Sequence, residues 1–287
     1  MNGLIVEAKY GSYKVYANDQ IFECTKRGAL KNDKISLTVG DYCNFDEKEL
    51  VIENIMERKS ILKRPSIANV DQLIIVFSLV EPDFSYYLAF KYVTYANKYG
   101  LDSKIVLTKS DKNIEQEKID EIKNVFSQLG IDVYAVSSKT KEGIEETKKI
   151  FKDKISCLIG QSGVGKSSLL NAIDITFKRK EGQYSEALGR GKHETKEVVL
   201  LKYEGGFIAD TPGFSSLDLD LFKEDLAHFF PGFSSLSYDC YFTDCLHISE
   251  KKCKIKEALN DGRIPSIAYQ NYLKLSNDAL PYIRRFE

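Results

Sequence analysis

One glycine-rich stretch constrains the fold of this chain more than any other feature. Residues 160–167 read Gly-Gln-Ser-Gly-Val-Gly-Lys-Ser and fit the pattern G-x-x-x-x-G-K-[ST]. The apolar run Ile155–Ile159 before it predicts a buried strand, and the spacing of Leu169, Leu170 and Ile173 predicts a helix after it. A chance match to the pattern alone is expected in roughly one chain in a hundred. In this context the stretch predicts the phosphate-binding loop of a nucleotide site.

Such a loop binds phosphate for simple physical reasons. Its glycines let backbone N–H groups turn toward a diphosphate, and the helix N-terminus adds a partial positive charge. We expect Lys166 to reach the β- and γ-phosphates and Ser167 to hold Mg²⁺. The candidate nucleotide-binding residues of the loop are Gly160, Gln161, Ser162, Gly163, Val164, Gly165, Lys166, Ser167 and Ser168.

From Arg64 onward, the hydrophobic pattern alternates between strands and helices. Apolar runs predict strands over residues 73–79, 104–107, 131–136, 197–203 and 207–209, and helical spacing predicts helices over 86–99, 119–129 and near 143–152. This alternation is typical of a doubly wound α/β sheet, whose ligand lies outside the carboxyl ends of the strands.

Two loops at predicted strand ends carry residues suited to a guanine base. Residues 108–111, Thr108-Lys109-Ser110-Asp111, fit the pattern [NT]KxD. The Asp111 carboxylate can accept hydrogen bonds from N1–H and N2–H₂ of guanine, and Lys109 is expected to lie along the base. Ser138 and Lys139 follow the next predicted strand, where a backbone N–H would meet O6. The tetrapeptide alone is usually a solvated loop, but both loops together with the phosphate loop predict guanine recognition.

Two further segments are expected at the γ-phosphate. A predicted strand runs into Asp210-Thr-Pro-Gly213, a D-x-x-G in which Asp210 would hold Mg²⁺ through water and the Gly213 N–H would sense the γ-phosphate. Thr195, at the end of a basic glycine-rich segment, is the candidate switch threonine on Mg²⁺. Ras-like enzymes have Gln after D-x-x-G, whereas this chain has Phe214, so we expect slow intrinsic hydrolysis.

The order of these segments is unusual. Ordinary GTPases run phosphate loop, switch threonine, D-x-x-G, [NT]KxD and then the loop that meets O6, whereas here the last two come first. The sequence therefore resembles a circularly permuted GTPase. Such a permutation is physically tolerable because domain termini tend to lie at the surface and close together.

The N-terminal part has a different pattern. Turn signals separate short β segments, which predict a small all-β barrel; the segments are Leu4–Ala8, Tyr13–Ala17, Ile21–Thr25, Ile35–Val39 with Tyr42–Phe45, and Leu50–Ile55. A basic cluster surrounds one loop and consists of Lys26, Arg27, Lys31 and Lys34. Taken alone, this cluster is more simply a solvated turn than an RNA-binding surface.

The C-terminal part carries a set of metal-binding residue types: Cys240, Cys245, His247 and Cys253. Three thiolates and an imidazole suit tetrahedral Zn²⁺ with no open position, so the predicted metal is structural. The alternative is three unrelated cysteines near a histidine. Lysines 251, 252, 254 and 256 interleave with the last ligand and predict a basic knuckle suited to rRNA phosphates.

Composition limits the remaining possibilities. The chain has 287 residues, 41 basic and 42 acidic side chains and a formal net charge of −1, so nothing draws it as a whole to nucleic acid. No signal peptide or long apolar span is evident, which predicts a cytoplasmic protein with no membrane partner. Six cysteines without an export signal argue against a disulfide framework, and Cys24, Cys43 and Cys157 are predicted core residues.

The permuted order and several motifs resemble the RsgA family, also called YjeQ or YloQ. The motifs are Arg64-Pro65 with residues 68–72, Gly160–Ser168, residues 210–214, residues 24–28, residues 39–41 and the spacing of the Cys₃His set. The resemblance covers the whole chain. It implies an N-terminal OB-fold over residues 1–63 that binds RNA, a circularly permuted GTPase domain over 64–219 and a zinc-binding domain over 220–287.

The family comprises bacterial GTPases that assist late maturation of the small ribosomal subunit. The resemblance implies hydrolysis of GTP to GDP and phosphate, stimulated by the 30S subunit, in a monomer whose partners are GTP, GDP, the 30S subunit and 16S rRNA. It also names His193 as a catalytic candidate beside Lys166 and Thr195, a solvated loop histidine being the alternative. The family's switch segment usually reads close to GRHTT, and Glu194 departs from it.

Two other functional classes remain open from the residues alone. One is a metal- and RNA-binding adaptor that holds GDP, with hydrolysis incidental. The other is a P-loop ATPase or kinase, against which Asp111 and the D-x-x-G argue. Turnover with and without 30S subunits separates the first class from a subunit-stimulated GTPase, and base selectivity tests the second.

Overall fold

The computed structural model describes residues 1–27, 36–112, 115–177, 198–210 and 217–281, with Asp210 described in its backbone only. Within these ranges, no helix is long and apolar enough to cross a membrane. The described residues fall into two compact units. The first takes its residues from 1–73, 144–159 and 166–210, and the second from 74–143, 160–165 and 217–281.

The N-terminal strands close into a barrel in the order β1-β2-β3-β5-β4. They are β1 (Asn2–Lys9), β2 (Ser12–Ala17), β3 (Gln20–Lys26), β4 (Tyr42–Asp46) and β5 (Val51–Ile55). Neighbours pair antiparallel except β3 and β5, which pair parallel. Ile5, Val15, Phe45 and Ile52 fill the core together with Cys24 and Cys43, which confirms the predicted barrel and the core assignment of both cysteines.

The predicted strand over Ile35–Val39 is wrong in its described part, because residues 36–41 form a turn instead. The buried Asp41 carboxylate organises this turn by accepting from the backbone N–H of Thr38 at 2.8 Å and from Arg58 at 2.6 and 2.8 Å. Gly40 adopts φ +89°, and a Cβ there would lie 2.1 Å from the carbonyl oxygen of Ala68. Side-chain hydrogen bonding and a close backbone approach therefore override the apolar pattern.

A short hairpin, absent from the predictions, follows the barrel: β6 (Ile61–Lys63) pairs with β7 (Ser66–Ala68). Asn69 fastens this hairpin to the turn before β4. Its side-chain amide donates to the carbonyl of Gly40 at 2.8 Å, and its side-chain oxygen accepts from the N–H of Lys59 at 2.9 Å.

Six described strands form the central sheet in the order β10-β9-β8-β11-β13-β12. They are β8 (Gln72–Ser78), β9 (Asp102–Thr108), β10 (Val133–Ala135), β11 (Ile155–Ile159), β12 (Val199–Tyr203) and β13 (Gly206–Asp210). β9 pairs parallel to β10, β11 pairs parallel to β13, and β12 is antiparallel to β13. Every residue of β8 and β11 is buried, as the continuous apolar runs predict, and Cys157 lies in this core.

The helices around the sheet follow the predicted order. They are α1 (Tyr86–Lys98), α2 (Gln116–Ser127), α3 (Ile144–Lys148), which a 3₁₀ turn over Lys149–Phe151 extends, and α4 (Lys166–Ile173). Two interactions hold the starts of β8 and β11 together. The N–H of Ile155 donates to the Asp71 carboxylate at 2.7 Å, and the Gln72 side chain donates to Ser156 Oγ at 2.8 Å.

The hairpin of β12 and β13, which ends at Asp210, packs against the barrel within the first unit. The rings of Tyr16 and Phe207 meet edge to face with centroids 5.2 Å apart. Lys202 donates to the Tyr16 hydroxyl and to the Asp19 carboxylate. The strand that leads into the predicted γ-phosphate sensor is therefore fastened to the N-terminal barrel.

The C-terminal part is helical, with α5 (Lys223–Phe229), α6 (Ser234–Ser237), α7 (Lys254–Asn260) and α8 (Ser266–Asp278). Helical spacing in the sequence predicts the last two of these helices, near 254–261 and 265–276, but neither of the first two. Lys98 holds the chain ahead of α5 by donating to the carbonyls of Leu219 at 2.6 Å and Asp220 at 3.0 Å. Phe230, Phe233 and the fully buried Tyr272 form an aromatic core between these helices.

Candidate nucleotide site and candidate zinc centre

The glycines of the phosphate loop adopt backbone conformations that other residues rarely reach. Gly160, Gly163 and Gly165 have φ values of +153°, +81° and +96°. A Cβ on Gly160 would lie 2.2 Å from the carbonyl oxygen of Val76. The loop follows β11 directly, and α4 begins at Lys166 with Leu169, Leu170 and Ile173 buried. The predicted strand, loop and helix are confirmed.

Thr108 links the predicted guanine loop to the phosphate loop. It is the last residue of β9 and is only 2% exposed. Its Oγ1 lies 2.5 Å from the carbonyl oxygen of Val164 and 3.1 Å from that of Phe77, so the hydroxyl donates into the phosphate loop. Thr108 therefore helps to position the backbone of the phosphate loop, a role that the [NT]KxD pattern does not indicate.

Asp111 is held by a serine that the sequence analysis missed. The Ser137 hydroxyl donates to Asp111 Oδ1 at 2.8 Å, and the N–H groups of Lys139 and Thr140 donate back to Ser137 Oγ at 3.2 and 3.0 Å. The hydrogen bond from Ser137 holds the pKa of the Asp111 carboxyl below its usual value, so the group is ionised and accepts hydrogen bonds. The only signal in the sequence was its position beside Ser138.

Lys109 is oriented by the loop after β8. Its ammonium donates to the carbonyls of Val80 at 3.1 Å and Glu81 at 2.6 Å. Anchoring the charged end in this way leaves the methylene stem as the part that could lie along a base. The neighbouring Ser110 N–H donates to the carbonyl of Val136 at 3.2 Å, which joins this loop to the one that carries Ser138 and Lys139.

Several predicted site residues lie outside the described residues. They are His193, Glu194, Thr195, Gly213 and Phe214, together with the Asp210 side chain and the loop lysines 31 and 34. The backbone of Asp210 ends β13. Ser167 and Ser168 lie in the first turn of α4, where the helix N-terminus favours phosphate.

The four predicted zinc ligands come together in the second unit. One ligand atom from each of Cys240, Cys245, His247 and Cys253 lies within 4.8 Å of all the others. Nδ1 of His247 is 3.5 Å from Cys240 Sγ and 3.4 Å from Cys253 Sγ, and those two sulfurs are 3.9 Å apart. A tetrahedron with Zn–S of about 2.3 Å and Zn–N of about 2.0 Å has S···S edges of about 3.8 Å and S···N edges of about 3.5 Å. The arrangement therefore fits tetrahedral zinc.

The backbone around His247 is fixed by hydrogen bonds from α8 and from Glu250. Tyr269 donates to the carbonyl of His247 at 2.7 Å, and Tyr272 donates to that of Leu246 at 2.9 Å. The Glu250 carboxylate accepts from the N–H groups of Leu246 and Ile248. The histidine backbone has φ +60°, which this network stabilises.

Burial sets the protonation of His247 and Cys245 in the metal-free site. It lowers the pKa of His247 to about 4, so the imidazole is neutral, which is the form that binds zinc. It also raises the pKa of Cys245 to about 12, so this thiol is protonated until a cation displaces the proton. These four ligands would fill a tetrahedral coordination shell with no open position, so the set suits a structural metal.

The fold and the site define a circularly permuted P-loop GTPase, because the guanine loop on β9 precedes the phosphate loop on β11. The sequence matches two protein-family models: the RsgA GTPase family over residues 55–220 and the RsgA N-terminal domain family over residues 2–50. The chain therefore belongs to the RsgA family of GTPases, which confirms the resemblance drawn from its motifs.

Similar proteins carry the family's name. A Geobacillus sp. (strain WCH70) protein called small ribosomal subunit biogenesis GTPase RsgA is 44% identical over 277 residues, 94% of each chain. A Bacillus subtilis protein of that name is 38% identical over 96% of each chain. The crystal structure of YjeQ from Thermotoga maritima matches 96% of this chain and 97% of its own, with TM-score 0.82 and 34% identity. That of YloQ, a circularly permuted GTPase, matches 96% and 94%, with TM-score 0.81 and 35% identity.

Proposed function

We propose that this GTPase binds the small ribosomal subunit and 16S rRNA, assists late maturation of the subunit, and hydrolyses GTP faster when bound to it. The hydrogen bond from Ser137 to Asp111 supports the nucleotide-binding part of this proposal, because it positions an ionised carboxylate that would accept hydrogen bonds from a guanine base. Thr108 ties the same loop to the phosphate loop. The names of the relatives support the ribosomal part, since they are called small ribosomal subunit biogenesis GTPases.

We assign the other roles from the motifs. Lys166 and the loop Gly160–Ser168 bind the phosphates, while Asp111 with Ser138 and Lys139 binds the base. Mg²⁺, bound with GTP, would neutralise charge on the β- and γ-phosphates, held by Ser167, Thr195 and Asp210. His193 is the proposed catalytic residue of the switch segment, and Gly213 the proposed γ-phosphate sensor.

We assign three domains and one structural metal. Residues 1–63 would form the RNA-binding barrel, 64–219 the GTPase domain and 220–287 the zinc domain of a cytoplasmic monomer. Zn²⁺ would be held by Cys240, Cys245, His247 and Cys253, whose ligand atoms all lie within 4.8 Å of one another. Because no open position remains, zinc would stabilise the fold and take no part in hydrolysis.

The decisive experiment measures release of phosphate from GTP with and without purified 30S subunits. We expect slow turnover alone and much faster turnover with 30S subunits, while 50S subunits have little effect. ATP should not compete with GTP. An unstimulated rate in the presence of 30S subunits that do bind the protein would favour an adaptor that holds GDP. Tight ATP binding would contradict the guanine site.

A further inference from the structure

Three aromatic side chains beside the zinc ligand Cys240 are unusually exposed. Tyr238 is 73% exposed, Tyr241 67% and Phe242 43%. Large aromatic rings usually bury most of their surface, and a cluster of exposed rings is typical of a binding surface. We call these three residues the aromatic patch.

The rings of the aromatic patch are held in place. The imidazole of His228 stacks on Tyr238 with centroids 4.6 Å apart and planes 17° apart, and His228 Nδ1 lies 3.1 Å from Ser237 Oγ. Tyr241 and Phe242 meet edge to face at 5.0 Å. The N–H of Tyr241 also bonds to the carbonyl of Lys252 at 3.4 Å. Pre-organised rings lose little conformational entropy when a ligand stacks on them.

Positive charge accompanies the aromatic patch in a limited amount. The ammonium of Lys252 lies 4.5 Å from the ring centroid of Tyr241. In the described part of the chain, neither Lys251 nor Lys252 has a carboxylate within 4 Å, and both are exposed. The other two lysines of the predicted basic knuckle have partners within the protein. Lys254 pairs with Glu257 at 2.6 Å, and Lys256 donates to the carbonyl of Glu250 at 2.9 Å.

These features distinguish between kinds of ligand. A nucleic-acid duplex is bound through many phosphate contacts, and two exposed lysines, in a segment that also exposes Asp239 and Asp244, supply few of them. Unpaired bases instead stack on aromatic rings and need only a few cations for the flanking phosphates. The surface offers that combination.

We propose that the aromatic patch binds single-stranded RNA by stacking on unpaired bases, with Lys251 and Lys252 on the neighbouring phosphates. The inference deepens the proposed function and rests on it, because it specifies an unpaired stretch of rRNA as the element recognised by this part of the chain.

The test titrates zinc-loaded full-length protein with a labelled single strand of about 12 nucleotides and with the same strand annealed to its complement. Tyr241→Ala should weaken single-strand binding by about 5- to 150-fold, the range measured for loss of one stacked base. Tyr241→Phe keeps the ring and should bind like the wild type. Duplex binding should change little in either variant.

Tyr99, at the end of α1 and outside the proposed RNA-binding barrel, provides a matched control. It is partly exposed, Lys98 lies 5.9 Å from its ring centroid, and its neighbouring ring, Tyr95, is buried, so it shares the local chemistry of Tyr241 without exposed neighbouring rings. Tyr99→Ala should leave single-strand affinity unchanged. Zinc content and hydrolysis without subunits should be the same in all variants, which shows that the fold is intact.

Three results would overturn the inference. The first is unchanged single-strand affinity in Tyr241→Ala. The second is a loss of 30S binding in that variant without loss of oligonucleotide binding, which would indicate a ribosomal protein as the partner. The third is a wild-type dimer that Tyr241→Ala dissociates, which would indicate a second copy of the chain. Absence of 30S stimulation in the wild type would instead refute the proposed function, so the two failures are distinguishable.

Discussion

Replacing Thr108 by valine should loosen the nucleotide site without changing its shape. Valine has nearly the same volume as threonine, so packing at this buried position is kept. What disappears is the hydroxyl whose Oγ1 lies 2.5 Å from the carbonyl oxygen of Val164. The carbonyl is thereby left without its donor in the phosphate loop.

The expected magnitude follows from that unpaired carbonyl. Leaving one buried acceptor unsatisfied costs about 1–3 kcal/mol. The free energy of nucleotide binding should become less favourable by the same amount. In the variant, a nucleotide would have to order the phosphate loop, which the hydrogen bond from Thr108 to Val164 holds in the wild type. At about 1.4 kcal/mol per tenfold change, GDP affinity should fall by about 5- to 150-fold.

Thr94 offers a matched control inside α1. It is also fully buried, and its hydroxyl donates to the carbonyl of Phe90 at 2.8 Å. That carbonyl can also accept the helical N–H of Thr94, so Thr94→Val leaves no acceptor unpaired and should cost less than about 1 kcal/mol. Thr108→Ser keeps the hydroxyl and should restore most of the affinity.

The assay is titration of a fluorescent GDP analogue, with thermal melting followed by circular dichroism. The chain has no tryptophan, so the analogue's emission is read without an indole background. Equal GDP affinities for Thr108→Val and Thr94→Val would refute the argument that the hydrogen bond from Thr108 to Val164 positions the phosphate loop.

Three further predictions concern the base, the metal and the reaction. Asp111→Asn should weaken GTP binding by about tenfold or more and shift preference toward xanthosine nucleotides, because an amide N–H₂ then faces the guanine donors; unchanged selectivity in competition titrations would contradict this. The purified protein should carry one zinc per chain, and Cys245→Ser should lose it and become protease-sensitive toward the C-terminus while nucleotide affinity is kept; a metal-free wild type with a resistant C-terminus would argue against the zinc site. His193→Ala should sharply lower 30S-stimulated phosphate release with little loss of GTP affinity, and an intact stimulated rate would remove His193 from the mechanism.

The sequence was informative where local pattern and tertiary environment agree. β8 and β11 are buried along their whole length, so their apolar runs predict strands directly. The phosphate loop is likewise specified by glycines at positive φ, which leave a sequence signature. The same holds for the metal ligands, because few residue types bind zinc and their spacing is short.

The sequence was less informative where one side chain organises a distant backbone. Residues 36–41 form a turn and not a strand, because Arg58 and the N–H of Thr38 donate hydrogen bonds to the Asp41 carboxylate. The hydrophobic pattern of the sequence does not indicate these hydrogen bonds. Ser137 was missed for a related reason, since its partner Asp111 lies 26 residues earlier in the chain. Helices α5 and α6 have only seven and four residues, too few for helical periodicity to predict them.

The position of β8 in the sheet has a consequence during synthesis. In an ordinary GTPase the phosphate-loop strand is made first, whereas here β8 ends at residue 78 and its neighbour β11 begins at 155. At about 5–20 residues per second, one side of this apolar strand waits roughly 4–15 s for its partner. An open strand edge of this kind pairs readily with other chains. Permutation therefore gives the nascent chain an interval in which it is open to aggregation, and in which bound nucleotide cannot help because the phosphate loop has not yet been translated.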